Sequence, residues 1–157
     1  NMATIQRFED LLMFKKAREL AKAVYSSLAL CKDFGFRDQI QRASVSIVSN
    51  IAEGFESGTK QEFLNYLYIA KGSAGEVRAQ LYVAHDVGYL NIETFKHLNL
   101  LAEECSRLIA SFTKKLKSSG MSGLQYKKEA QRDIAGEMLS AAGYVRLPNG
   151  QVVEKKL

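Results

Sequence analysis

The residues whose types could do chemistry are few. His85-Asp86 sets an imidazole beside a carboxylate, the combination that acid–base catalysis uses, and Glu53 with Glu76 offers two carboxylates to a divalent cation. Neither pair sits in a recognisable motif: the chain has no His-Glu-x-x-His, no glycine-rich phosphate loop and no nucleophile elbow. No catalytic residue, metal ligand or cofactor is therefore expected; the enzymatic alternative would be a metal-dependent nuclease built on Glu53 and Glu76. Cys31 and Cys105 are far apart, lack zinc-site spacing, and fall in or beside apolar helical patterns. They read as reduced thiols of a cytoplasmic protein.

Polar residues of a second kind are more informative. In Arg42-Ala-Ser-Val-Ser-Ile-Val-Ser-Asn-Ile-Ala-Glu-Gly54, a rotation of 100° per residue gathers Ile47, Val48, Ile51 and Phe55 on one side. Arg42, Ser46, Ser49 and Glu53 gather on the other, with Asn50 at the edge. The first set is expected in the core. The second is short and hydrogen-bonding, suited to a network joining helices or subunits, with Arg42 and Glu53 able to form charge-assisted bonds. Ala70-Lys-Gly-Ser-Ala-Gly75 offers another surface of small residues. A glycine inside a helix costs about 1 kcal/mol against alanine, so Gly72 and Gly75 are expected to allow tight packing against another backbone.

The elements that carry these residues follow from periodicity. A chain of 157 residues, 46% apolar and 25% charged, with one proline, fits one all-α domain. Leu11, Phe14, Ala17, Ala21, Val24, Tyr25 and Leu28 draw a stripe along a helix from about Phe8 to Leu30. A second helix is expected from about Arg37 to Phe55, with Gly54 and Gly58 as its stop. Thr59 and Glu62 form a capping-box start for a third, from about Lys60 to Val87. Its seam is Phe63, Leu67, Ala70, Ala74, Val77, Leu81 and Ala84. Beside the seam, Tyr66, Ile69, Ser73, Glu76, Gln80, Val83 and Val87 make a stripe too apolar for a free surface, which suggests one partner inside the subunit and one outside it. A fourth helix carries Ile92, Phe95, Leu98, Leu101, Ala102, Cys105, Leu108, Ile109, Phe112 and Leu116 on one face. Short connections imply antiparallel neighbours, so residues 8–118 are expected to form an up-down-up-down four-helix bundle. Residues 119–157 are a C-terminal extension: a Ser/Gly linker, a short helix within Leu124–Ala142, and a small hairpin closed by Pro148-Asn149-Gly150. Such a hairpin is marginal alone and must dock or stay mobile.

Charge and hydropathy bear on partners. The chain carries 22 Lys and Arg against 17 Asp and Glu, a formal net charge of +5, compatible with a polyanion partner. Lys15, Lys16, Arg18 and Lys22 on the first helix and Arg107, Lys114, Lys115 and Lys117 on the fourth are candidate phosphate contacts, the plain alternative being a solvated face. Tyr25, Tyr66, Tyr68 and Tyr82 are available to stack on bases but are expected in core or interface. No apolar run reaches the roughly 18 residues a membrane span requires and the N-terminus lacks a signal-type apolar region, so a soluble cytoplasmic protein without membrane contact is expected. Asn1 ahead of Met2 reads as a tag remnant.

Several of these residues also carry a resemblance. Gln39-Ile-Gln-Arg42-Ala, Ser46-Ile, Ser49-Asn-Ile-Ala-Glu-Gly54, Glu62-Phe63, Leu67, Ile69-Ala70, Gly72-Ser73, Glu76 and Leu90 after Gly88-Tyr89 resemble the bacterial four-helix bundle family often called the 23S rRNA intervening-sequence protein family. That family is structurally similar to the accessory variability determinant of diversity-generating retroelements. The resemblance runs in order from about Phe8 to Lys117. It implies an up-down bundle assembled into a homopentamer, a nucleic-acid-binding role, and no enzymatic activity. By motif position, Arg42, Ser46, Ser49, Asn50, Glu53, Ser73 and Glu76 are the characteristic polar residues, expected at a subunit interface or in a polar network. Val48 stands where the motif often has proline, and the extension lies outside the pattern. Two functions follow as expectations: a homo-oligomer, pentameric by the resemblance, that binds structured RNA or DNA through backbone phosphates, or a protein-interaction scaffold for a nucleic-acid-processing enzyme.

Overall fold

The computed structural model describes residues 5–119 and 134–154. Four long helices make up the first unit: α1 (Leu12–Ser27), α2 (Phe34–Glu56), α3 (Lys60–Asp86) and α4 (Ile92–Ser118). Tight connections reverse the chain three times and give the antiparallel four-helix bundle that the periodicity predicts. α1 packs on α2 and α4, and α3 packs on the same two helices, so α1 and α3 occupy opposite corners.

Local chemistry sets the ends. The Asp33 carboxylate accepts from the Phe36 N–H at 3.0 Å, which caps α2 and draws Phe34 and Gly35 into its first turn, earlier than the expected start at Arg37. Thr59 accepts from the Glu62 N–H at 3.1 Å and Asn91 from the Thr94 N–H at 2.8 Å, starting α3 and α4. At the entry of α1 the expected continuous helix is broken: Phe8–Asp10 form a 3-10 turn, and the extended backbone of Leu11 inserts its side chain into the core before α1 begins.

The core lies between the four helices. All seven residues of the α3 seam are fully buried, and from α1 the core takes Met13, Phe14, Ala17, Leu20 and Val24. Tyr25, expected on that stripe, is exposed. Phe55, Phe63 and Phe112 form an aromatic chain across the bundle, with ring centroids 6.0 and 5.5 Å apart.

The glycines divide differently from expectation. Gly54 does not end α2. It is buried inside the helix where α3 crosses, and a Cβ there would lie 2.8 Å from both Phe63 Cδ2 and Tyr66 Cβ. The left-handed turn belongs to Gly58, at φ +93°. Gly72 and Gly75 face open space, so they give no close approach within the subunit.

The second unit, described by itself, has α5 (Ile134–Ala141) and an antiparallel pair, β1 (Tyr144–Arg146) with β2 (Val152–Glu154), in which Val145 faces Val153. This is the short helix and hairpin expected of the extension; residues 120–133, which include most of the anticipated linker and the first part of the longer helix, lie outside the described residues. Among the described residues no helix is long and apolar enough to cross a membrane.

Candidate functional site

The small polar residues of α2 and α3 meet in part. Ser46 Oγ and Ser73 Oγ are 2.9 Å apart across the two helices, and the Asn50 amide donates to the Ser46 carbonyl at 2.8 Å and to Ser46 Oγ at 3.0 Å. This is an interhelical network of three side chains, half-buried at the α2/α3 seam. The other four motif residues stay outside it. Ser49 and Glu53 are exposed, and Glu76 accepts from the Gln80 amide at 3.3 Å. Arg42 pairs with Asp38 at 2.8 Å, one turn away on its own helix and exposed to water. Neither Arg42 nor Arg78 pairs with Glu53 or Glu76 in the subunit: Arg78 reaches Glu103 on α4 at 3.4 Å, where Asn99 also donates at 3.2 Å. An intrahelical i,i+4 partner and a partner on the next helix are simply nearer.

The second stripe of α3 is open in the single subunit. Ser73 is buried and Tyr66 and Gln80 are half-buried, but Ile69 is 53% exposed, Val83 48% and Val87 55%. Gly72, Gly75 and Ala79 lie on the same outward side, flanked by Tyr68 and Tyr82. The surface is thus apolar apart from the exposed Glu76 carboxylate, and at Gly72 and Gly75 it is free of side chains.

The basic residues occupy other corners. On α1, Lys15, Arg18 and Lys22 are exposed at successive three- and four-residue steps and form one outward stripe. Lys16 turns toward α4 instead, donating to Glu19 at 2.8 Å and approaching Glu104 at 3.2 Å. Glu19 first and Glu104 second hold its ammonium above the ordinary range. Lys16 is therefore the least available of the eight to a phosphate. It lines an open groove of about 520 Å³ between α1 and α4 with Leu12, Glu104, Arg107, Leu108 and Ser111. Lys114 follows Arg107 two turns on along the outward face of α4, and Lys117 lies 5.0 Å above the Tyr68 ring at the α3 side. Arg107, Lys114, Lys115 and Lys117 are all exposed.

His85 is engaged structurally: its ring stacks on Phe95 at 5.1 Å and its Nδ1 lies 3.1 Å from the Leu90 carbonyl oxygen. Among the described residues no three His, Cys, Asp or Glu side chains come together as a metal set. Burial pushes the Cys105 thiol up to about 12, which makes it an inert core residue, while Cys31 is half-buried beside the α1–α2 connection. The partner of Lys16 on α4 was not legible from spacing, whereas Asp38 and Glu19 stood at helical distance in the sequence all along.

Comparison with known proteins places this arrangement. A solved structure from Bacteroides thetaiotaomicron, a protein of unknown function from the S23 ribosomal protein family, superimposes with a TM-score of 0.62 at 28% identity, over 66% of this chain and 99% of that one. No curated protein matches. The model of the family described as 23S rRNA-intervening sequence protein matches residues 9–111, which span α1 to α3 and most of α4. With that match over most of the bundle, and the same helical architecture in the solved relative, the chain belongs to the 23S rRNA-intervening sequence protein family.

Proposed function

We propose that this protein is a non-enzymatic, self-associating four-helix bundle, pentameric by its family resemblance, that binds structured RNA or DNA mainly through backbone phosphates. The observation that carries the reading is the division of the surface between opposite corners. The outward face of α3 offers Ile69, Val83 and Val87 around the bare backbone at Gly72 and Gly75, a surface that suits another helix. The outward face of α1 offers Lys15, Arg18 and Lys22, and the C-terminal half of α4 adds Arg107, Lys114, Lys115 and Lys117. Association through α3 leaves α1 open and repeats its charge around the symmetry axis, so that a modest subunit charge becomes a multivalent one.

The test is the solution mass by light scattering at two salt concentrations, with and without a short structured RNA. An oligomer near five subunits that gains RNA mass only at low salt supports the proposal. A monomer removes the self-association, and an oligomer with no salt-sensitive affinity for any nucleic acid removes the binding role. Replacing Lys15 and Lys22 by Gln is expected to lower the slope of log affinity against log salt by about 2.

The scaffold reading draws on the second unit, where Met138, Tyr144, Val145, Val152 and Val153 are exposed, a composition that suits a protein partner. It is favoured instead if removing residues 124–157 leaves the oligomer intact but abolishes capture of a nucleic-acid enzyme.

A further inference from the structure

We infer that Tyr25 is a base-stacking residue, so that the ligand of the α1 stripe is the unpaired loop of a structured RNA and not a bare duplex. The inference rests on the nucleic-acid reading above and narrows its substrate class. Four tyrosines of the bundle are exposed, and three are engaged: Tyr68 lies under the Lys117 ammonium, Tyr82 packs edge-on against Phe95 at 4.9 Å, and the Tyr89 hydroxyl donates to Asp33 at 2.8 Å. Tyr25 is 47% exposed and has no hydrogen-bond, aromatic or cationic partner among the described residues. The periodicity assigns it to the core stripe, but Leu20 and Val24 fill that place and leave the Tyr25 ring outside.

Its neighbours give the ring its partner. Tyr25 stands three residues after Lys22 and seven after Arg18, so all three lie within two turns along one side of α1. The acidic residue of this stretch, Glu19, is turned to Lys16, which it shares with Glu104. A half-exposed aromatic ring one turn beyond a row of cations can hold a single-stranded segment: the cations meet the phosphates and the ring meets a base face. A duplex keeps its bases stacked inside and offers this ring nothing, whereas RNA loops present splayed bases. The corner also suits the role, because association through α3 leaves α1 uncovered.

The experiment uses the full chain and two probes, a short RNA hairpin with an unpaired loop and a blunt RNA duplex of matched length. Tyr25→Leu is expected to weaken hairpin binding by about 5- to 150-fold, the worth of one base–aromatic stack, with duplex affinity and salt slope unchanged. Tyr25→Phe keeps hairpin affinity, because the ring and not the hydroxyl does the stacking. The chain has no tryptophan, so Tyr25→Trp supplies a single fluorophore that the hairpin quenches and the duplex does not. Full hairpin affinity in Tyr25→Leu, or an equal loss on both probes, overturns the role of Tyr25 while leaving phosphate binding in place. If the wild-type chain binds neither probe at low salt, the nucleic-acid reading itself falls. Unchanged helical circular dichroism in the variants, expected for an exposed side chain, keeps these outcomes separate from misfolding.

Discussion

Gly54, Gly72 and Gly75 all sit inside helices, yet alanine at these positions is expected to act with opposite signs. In each case the substitution gains about 1 kcal/mol of helix propensity. At Gly72 and Gly75 a Cβ meets nothing within 4 Å, so that gain is kept, and each variant of the separate subunit is stabilised by about 1 kcal/mol. At Gly54 the new Cβ lies 2.8 Å from a ring carbon of Phe63, which is fully buried, and 2.8 Å from Tyr66 Cβ, which is fixed to the α3 backbone. Neither can swing away, so α3 must shift. Overpacking of a filled core costs about 1–3 kcal/mol, and two such contacts place this case near the top of that range. Subtracting the propensity gain leaves Gly54→Ala less stable by about 2 kcal/mol, a fall in Tm of about 6–10 °C for a domain of this size. Urea titration and thermal melts at a concentration where the chain is monomeric measure all three. A Gly54→Ala variant as stable as wild type, or a monomeric Gly72→Ala less stable than wild type, refutes the reasoning. If α3 faces a second copy, the same Gly72→Ala weakens association while stabilising the subunit, and light scattering reads that separately.

Ser73→Ala removes one member of the Ser46–Ser73–Asn50 network and is expected to cost about 1 kcal/mol, measured by urea denaturation, since Ser46 keeps its bond from Asn50. A disulfide reagent at mildly alkaline pH is expected to label Cys31 in the native protein and to reach Cys105 only in denaturant, because burial holds Cys105 as a thiol. The Asp33 carboxyl is held below its ordinary range, first by the Phe36 N–H and then by the Tyr89 hydroxyl. Its contribution to stability is therefore present above the ordinary carboxylate pKa and lost as pH falls through the lowered value. Asp33→Asn, which keeps a capping oxygen but does not titrate, is expected to flatten that part of the acid limb in pH-dependent melts.

What the sequence disclosed follows the range of the interactions concerned. The α3 seam and the caps at Thr59 and Asn91 were legible because each rests on spacing within a few residues of one helix. The stripe of Ile69, Val83 and Val87 was legible as apolar, but which side of the subunit it faces depends on where α2 and α4 pack. What the glycines face was hidden for the same reason. Gly54 stands near a helix end, where a stop is the local explanation, while its cause is Phe63 and Tyr66 on another helix; Gly72 and Gly75 read as packing residues, and only the packed bundle shows that they meet nothing within the subunit. Lys16 belonged to a basic cluster by sequence and to an ion pair with Glu104 by tertiary structure.

The notch at Gly54 has a further effect, on alignment. Sliding α2 by one turn along α3 so that Asn50 or Ile51 came opposite Tyr66 would put a Cβ where the backbones leave room for a hydrogen, and in the other direction the slide runs off the end of α2 at Glu56, onto Ser57 and Gly58. The two helices therefore mate at a single axial setting, much as a key seats in one slot. Because α2 and α3 are joined by a connection of only Ser57 to Thr59, that setting can be chosen by neighbouring segments before the distant pairing of α1 with α4 closes the bundle. One missing methyl group thus helps to decide which of several similar four-helix arrangements the chain adopts.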